Sequence, residues 1–249
     1  MDDNSGILSQ TQQGQFATTH WSVVAAAARS DSPEAQQAME QLCRSYWYPL
    51  YAFLRRKGST REEAEDATQD FFAERVLTKR IFEGAQADQG RFRTWLLNSL
   101  RNHTVNEWQR RRAQKRGGGV SHTSLDLTDA EGRYLLEPGH DETPEKAFER
   151  TWAMTLLQKA LASLRAEYEL KNEAAYFDQL KCFLPGAMEP PPYAELAKRL
   201  GQTEGALKMA VCRLKKEYGE AVRKEISRTV SDPAQVREEL QFLRAALSG

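Results

Sequence analysis

The chain has 249 residues, of which 40% are hydrophobic and 28% are charged, and its formal net charge is zero. This composition is typical of a soluble globular protein with one or two domains. No apolar run approaches the roughly 20 residues that a membrane helix needs, and the amino terminus has no secretory signal. The three cysteines are scattered and form no CxxC pair, which argues against a disulfide framework or a structural zinc site. We therefore expect a soluble cytoplasmic protein that carries no metal or other cofactor.

The zero net charge conceals a strong segregation of charge along the chain. The segment Gly90–Arg116 carries eight cationic residues and a single acid, Glu107. Acids dominate two other segments, Arg61–Arg75 and Asp126–Glu149, which hold six and eight of them against two cations each. Local fields of this kind matter more for partner choice than the near-neutral pI, so the cationic segment predicts an anionic partner.

Turn and linker signals divide the chain into five parts. Residues 1–15 are polar and rich in Gln, Ser and Thr, which predicts a disordered end. Residues 16–116 show helical periodicity and form the first predicted domain. Residues 117–143 begin with three glycines and continue as an acidic run without periodicity, so they are expected to form a flexible linker. Helical patterns return in 144–228, the second predicted domain, and 229–249 form a C-terminal extension.

Helix-start signals recur in both predicted domains, and in the second one Thr143 followed by Pro144 predicts the start of a long helix. Ser32 followed by Pro33 predicts the start of a helix, and Pro49 is expected to kink or end it. A second predicted helix runs from Arg61 to about Leu77, because Thr60 and Glu63 have the spacing of a capping box. A short helix is also expected around Trp21 to Ala28. These patterns predict an all-α protein with the aromatic residues near Pro49 in its core.

The predicted helix from Arg61 turns Glu62, Asp66, Gln69 and Asp70 away from its apolar face. Carboxylates gathered in this way could serve acid/base or metal chemistry, form a solvated surface, or dock a basic partner. A catalytic or metal site needs more convergent ligands than one helix face supplies, and no His or Cys accompanies these acids. The pattern therefore favours a docking surface over a catalytic one.

The cationic segment Gly90–Arg116 also has helical periodicity. One side carries the apolar residues and His103, and is expected to face a core. The opposite side carries amides and guanidinium groups, which hydrogen-bond to both phosphates and base edges. An ordinary solvated helix would show the same charge, so this segment alone does not settle the function.

Residues Tyr193–Gly219 have the spacing of a helix-turn-helix. Ala197 is small enough to let two helices cross closely, Gly201 permits the tight turn four residues later, and Leu207 anchors the second helix. Thr203 is expected to cap that second helix, whose outward side is basic. An amphipathic hairpin without a DNA role is the alternative, but the turn spacing and the basic helix together favour DNA binding.

The C-terminal extension predicts an added amphipathic helix. Asp232 and Pro233 supply its start, and its apolar face comprises Val236, Leu240, Leu243 and Leu247. Its expected role is packing against the second domain, with a regulatory lid or a partner site as the alternative.

Three of these segments, in this order, resemble the bacterial RNA polymerase sigma factors of the extracytoplasmic-function (ECF) group. The sequence AEDATQDFF (64–72) looks like the polymerase-docking signature of that family. The sequence GRFRTWLLNSLRN (90–102) looks like the segment that melts and captures the minus-ten promoter element. The sequence YAELAKRLGQTEGALK (193–208) resembles the helix-turn-helix that reads the minus-thirty-five element. The resemblance implies an all-α fold of two helical domains, a region-two bundle and a region-four helix-turn-helix, joined by the flexible acidic linker.

The resemblance also implies partners and roles for particular residues. Core RNA polymerase would be bound at its β′ clamp and β flap, promoter DNA would be the second partner, and an anti-sigma factor or another regulatory protein is a further candidate partner. No membrane partner is implied. The implied β′ contacts are Asp66, Gln69, Asp70 and Phe71. The implied minus-ten contacts are Arg101, Asn102, Asn106, Arg110, Arg111 and Arg112, with the two asparagines reading unstacked bases and the last three arginines holding phosphates. The implied minus-thirty-five contacts are Thr203, Lys208, Met209, Cys212, Arg213, Lys215 and Lys216.

The chain departs from the family pattern at Ala210, where relatives often carry a basic residue, and in the long stretch Glu169–Pro192. Two other functions stay open from the residues alone. A stand-alone helix-turn-helix regulator would need only the second domain. A metal-dependent nuclease would have to use His103, Asn106 and Glu107, although no histidine has a partner at ligand spacing. The interpretation that covers all three motifs is a sigma subunit without a catalytic centre.

Overall fold

The computed structural model describes residues 32–77, 91–113, 130–136, 142–186, 189–230 and 232–248. Every regular element in these ranges is helical, which confirms the all-α prediction. The α-helices are α1 (Pro33–Arg56), α2 (Arg61–Phe71), α3 (Phe92–Ala113), α4 (Ala130–Leu136), α5 (Pro144–Leu170), α6 (Ala174–Leu180), α7 (Tyr193–Arg199), α8 (Glu204–Ser227) and α9 (Val236–Ser248). A π-helical turn (Phe72–Leu77) follows α2, and short 3₁₀ turns (Lys181–Phe183 and Pro233–Gln235) follow α6 and precede α9. The predicted disordered end and the predicted helix around Trp21 lie outside the described residues.

The predicted helix starts are present. At Thr60 both halves of the capping box form: the hydroxyl accepts from the Glu63 backbone N–H at 3.2 Å, and the Glu63 carboxylate accepts from the Thr60 N–H at 2.9 Å. Thr143 caps α5 and Thr203 caps α8 in the same manner, each accepting a backbone N–H three residues ahead. These caps satisfy amide groups that a helix leaves unpaired at its start.

Pro49 does not end its helix. Helix α1 continues through it to Arg56, so the predicted break is absent. A proline inside a helix removes one hydrogen bond and costs about 3 kcal/mol. Burial compensates for this cost, because Tyr46, Leu50 and Tyr51 around the proline have no exposed surface.

Helix α1 is the centre of the core. Helices α2 and α5 pack against it, and α5 also packs against α8 and α9. The buried apolar residues of α1, α3, α5 and α8 form one continuous cluster. Residues from both sides of the predicted linker therefore share a core, and α5 connects the two sides. The five-part division of the chain stays a prediction.

Part of the predicted linker is a helix rather than an irregular chain. Helix α4 lies within 117–143 and places Tyr134 against α1, where the rings of Tyr51 and Tyr134 meet edge to face at 6.4 Å. The periodicity of seven residues is too short to stand out within an acidic run. Most of the remaining predicted linker lies outside the described residues.

Candidate nucleic-acid and protein interfaces

The acidic face of α2 is open to solvent. Asp66 is exposed, and Gln69 and Asp70 are half-buried. The fourth residue assigned to polymerase docking has a different environment: Phe71 is completely buried, with its ring 5.6 Å from Phe72 and 5.7 Å from His103. Phe71 therefore packs α2 against α3, whereas Asp66, Gln69 and Asp70 form the surface of α2.

The outward side of α3 carries the two predicted base-reading amides. Asn102 and Asn106 are both exposed, and Val105 between them is 50% exposed. His103 is buried on the opposite side, as the periodicity predicted. Arg110, Arg111 and Arg112 belong to the last turns of α3, and their side chains lie outside the described part of the structure. Amides on an exposed helix face can offer donors and acceptors to an unstacked base.

Arg101 is less available than its neighbours. Its guanidinium forms an ion pair with Glu145 in the first turn of α5 and lies 5.2 Å from the ring of Phe53. It also donates to the Asn98 side chain at 3.3 Å. A predicted minus-ten contact is therefore joined to the helix that follows the linker.

Two further cations at the start of α3 are neutralised by the C-terminal helix. Arg93 is 4% exposed and forms an ion pair with Glu239 of α9, whose own side chain is 1% exposed. Arg91 contacts the same carboxylate, with its Nε 3.0 Å from Oε2. Burial lowers the pKa of Arg93 to about 10, which leaves it charged at neutral pH. Sequence reasoning missed this pairing, although Glu239 was visible as an acid between Val236 and Leu243 on the predicted apolar face.

Helices α7 and α8 form the predicted helix-turn-helix. Gly201 has φ +64°, a left-handed conformation in which a side chain would be strained. Ala197 is 3% exposed, and its carbonyl accepts from the Gln202 N–H at 2.9 Å across the turn. Leu207 is completely buried at the start of α8. Ala197, Gly201 and Leu207 therefore occupy the positions that the helix-turn-helix spacing predicted.

The outward side of α8 is exposed to solvent. The predicted minus-thirty-five residues Lys208, Met209, Cys212, Arg213, Lys215 and Lys216 are all exposed. The carboxylate of Glu204, one turn before Lys208 on the same helix, accepts from its ammonium group at 2.6 Å. Thr203 differs in function from the others, because its hydroxyl caps α8 by accepting from the Ala206 N–H at 3.2 Å. A cationic, exposed helix behind a tight turn is the geometry that enters a major groove.

Helix α4 is held by a charged cluster. The carboxylate of Glu131 accepts from Arg55 at 2.8 and 3.2 Å and from the Tyr51 hydroxyl. The guanidinium carbons of Arg55 and Arg56 lie 4.9 and 5.0 Å from the centre of the Tyr134 ring. Burial acts to raise the pKa of Glu131, but the hydrogen bonds from Tyr51 and Arg55 outweigh it and lower that pKa.

The structure does not place together the residues that a metal-dependent nuclease would have to use. His103 points into the core, whereas Asn106 is exposed, and the side chain of Glu107 lies outside the described part of the structure. Within the described ranges, no group of three or more His, Cys, Asp or Glu side chains is arranged to hold a metal ion. None of the helices described in the structure is both long and apolar enough to span a membrane.

Comparison with known proteins finds similarity to a curated bacterial protein. The RNA polymerase sigma factor YlaC of Bacillus subtilis (strain 168) is 25% identical to the chain over 166 residues, which are 67% of this chain and 81% of that protein. No family model matches the chain, and no solved structure matches it. The helix-turn-helix that the third motif predicted is present in the fold. Over two thirds of its length the chain is therefore similar to a bacterial RNA polymerase sigma factor, which agrees with the resemblance of its motifs.

Proposed function

We propose that the protein is a sigma subunit that binds core RNA polymerase and gives it promoter choice by sequence-specific DNA contacts. The observation that carries this proposal is the coexistence of an exposed acidic face on α2 with an exposed basic helix-turn-helix in one chain. A stand-alone DNA-binding regulator needs the basic helix-turn-helix but does not need the acidic face of α2.

The acidic face of α2 suits a basic partner. Asp66 and Asp70 extend from a helix whose buried side, through Ala64 and Phe71, fixes it to the core. Complementary charge on two proteins raises the association rate and disfavours wrong partners. The β′ clamp of core polymerase is the partner that the family resemblance implies for this face.

The two DNA surfaces suit different forms of DNA. Asn102 and Asn106 on α3 offer amides to unstacked bases of a melted minus-ten element. Helix α8 offers Arg213 and its neighbouring lysines to the major groove of a duplex minus-thirty-five element. Neither role involves bond chemistry, so the protein would act without a catalytic centre, and the catalytic centre would be that of the polymerase.

The test is a charge reversal on α2 with a matched control. We expect Asp66→Lys combined with Asp70→Lys to abolish binding to core polymerase, because two attractive contacts become repulsive. Glu167→Lys reverses one charge on an exposed position of α5 and should leave that binding unchanged. Both proteins should bind duplex DNA through α8 with the affinity of the unmodified chain.

Transcription measures the function directly. Run-off transcription with bacterial core polymerase on a genomic promoter library should require this protein at a subset of templates. A library without any such template would overturn the proposal. Normal polymerase binding by the doubly reversed protein would favour the stand-alone regulator instead.

A further inference from the structure

Apolar side chains interrupt the cationic side of α8. Met209 and Cys212 are both exposed, and they lie three residues apart, so they are neighbours on one face of the helix. Lys208 precedes this pair in the sequence and Arg213 follows it, and both of these cations are exposed as well. Met209 and Cys212 therefore form an apolar centre within a cationic surface.

Most of the Met209 side chain is open to solvent. It is 66% exposed, whereas Leu207 and Val211 on the other side of the same helix are buried. A single exposed methionine is common on protein surfaces and by itself indicates no function. The position of Met209 distinguishes it, because it lies in the second turn of the helix that follows the helix-turn-helix turn. In that architecture the first residues of the second helix contact base edges in the major groove.

Lys208 is held toward α7 and leaves the centre of the surface to Met209. Its ammonium lies 2.6 Å from the Glu204 carboxylate and 5.6 Å from the centre of the Tyr193 ring, which belongs to the first residue of α7. A lysine is a point charge suited to phosphates, whereas the planar fork of an arginine matches two acceptors of guanine. Arg213, one turn after Met209, is therefore the cation beside Met209 that is suited to a base.

The major groove presents one apolar group, the C5-methyl of thymine. Apolar side chains contact this methyl group, and arginine pairs with the O6 and N7 acceptors of guanine. Four residues of helix rise about 6 Å, and successive base pairs are about 3.4 Å apart. Met209 and Arg213 can therefore reach bases that are one or two steps apart.

We propose that Met209, flanked by Cys212, reads a thymine methyl group, and that Arg213 reads a guanine one or two base pairs away from it. This inference rests on the proposed function and specifies the duplex element that α8 selects. Within that element, the methyl group of one thymine is recognised by apolar contact. The guanine is recognised through its hydrogen-bond acceptors.

The duplex element is identified first. The full chain with bacterial core polymerase selects bound sequences from a random duplex library, and sequences that core polymerase retains alone are discarded. Each thymine of the selected element is then replaced in turn by deoxyuridine, which lacks only the methyl group. Binding of each duplex is measured at one salt concentration, because phosphate contacts depend on salt.

Truncation of methionine assigns the methyl contact. One uracil replacement should weaken binding by the unmodified protein about fourfold, since a buried methyl-sized group contributes ~0.8 kcal/mol and ~1.4 kcal/mol is tenfold. Met209→Ala should bind the thymine and uracil duplexes equally at that position. Met154→Ala is the matched control, because it truncates a methionine that is 38% exposed on α5, and it should keep the difference. Both positions are exposed, so neither truncation should change the melting temperature.

Arg213→Ala tests the guanine contact. Replacement of guanine by 7-deazaguanine removes the N7 acceptor and should weaken binding by the unmodified protein several-fold. Arg213→Ala should not distinguish the two duplexes, and it should still distinguish thymine from uracil. A preference for guanine that Arg213→Ala retains would overturn this part of the inference.

The outcomes separate this inference from the proposed function. If the chain and core polymerase select no sequence from the library, the sequence-specific function is wrong, and the inference is wrong with it. A selected element in which every uracil replacement is neutral would overturn the inference alone. A thymine preference that Met209→Ala retains would do the same, because another residue would then read the methyl group.

Discussion

Helices α3 and α8 are both basic helices with predicted DNA contacts, but their cations have different surroundings. On α3, Arg93 and Arg101 are joined to carboxylates of α9 and α5, and Arg93 is almost completely buried. On α8, Arg213 and Lys216 are exposed, and Lys208 is exposed too, although it pairs with Glu204 of its own helix and lies 5.6 Å from the centre of the Tyr193 ring. A cationic sequence therefore does not by itself establish an available surface, because the fold can supply its own anions.

The largest difference should appear when one arginine of each helix is removed. Arg93→Ala removes the buried one of the two arginines that pair with Glu239, which should lower the free energy of unfolding by about 3–5 kcal/mol. Arg213→Ala should change it by less than about 0.5 kcal/mol, because the side chain is exposed. Chemical denaturation of both variants gives the comparison. Equal losses would show that the two helices do not differ as the contacts indicate.

The next largest loss of unfolding free energy is expected when the cluster that anchors α4 is disrupted, and this loss should depend on pH. Glu131→Gln should cost about 2 kcal/mol, because its hydrogen bonds to Arg55 and Tyr51 lose the charge that strengthens them. The pKa of Glu131 is lowered in the folded protein, so its contribution is complete above the ordinary value of about 4.5 and is lost as the pH falls through the lowered value. Denaturation from pH 7 to pH 3 should show this loss in the unmodified protein. If the stability of Glu131→Gln depended on pH in the same way as that of the unmodified protein, Glu131 would not anchor α4 through its charge.

Thr203 allows a smaller effect to be divided between stability and DNA binding. Thr203→Ala should cost about 1 kcal/mol because α8 loses its cap. Thr203→Asp keeps an acceptor for the Ala206 N–H and should be as stable as the unmodified protein, but it places a negative charge on the DNA side. Denaturation and duplex binding measured together would separate the two roles. Normal DNA affinity in Thr203→Asp would mean that the residue only caps the helix.

The smallest effect on the fold is expected at the exposed lysines of α8. Lys215→Ala should leave the melting temperature unchanged, since its side chain is exposed. Each phosphate contact that is lost reduces the slope of log affinity against log salt by about 0.9. Titrations of duplex DNA at several salt concentrations measure this slope, with Glu220→Gln as an exposed control on the same helix. An unchanged slope would remove Lys215 from the proposed DNA surface.

Local patterns in the sequence were sufficient for the capped helices and for the helix-turn-helix, but they did not indicate α4. The Thr60, Thr143 and Thr203 caps each depend on residues within three positions, and the Gly201 turn depends on backbone freedom at one position. Such features form by interactions between near neighbours, so the order of residues specifies them. Apolar periodicity likewise indicated which side of α3 is buried.

Contacts between distant segments were decided only in the tertiary structure. The contact of Phe71 with His103, the docking of α4 through Glu131 and the pairing of Arg93 with Glu239 all join residues that no local pattern connects. Pro49 was tolerated for the same reason, because burial of the surrounding aromatic residues outweighs a lost hydrogen bond. Interactions between near neighbours thus specify the capped helices and the basic character of α3 and α8. The packing of α5 and α9 decides which basic residues of α3 are paired with acids, since an ion pair depends on where two helices come together in space.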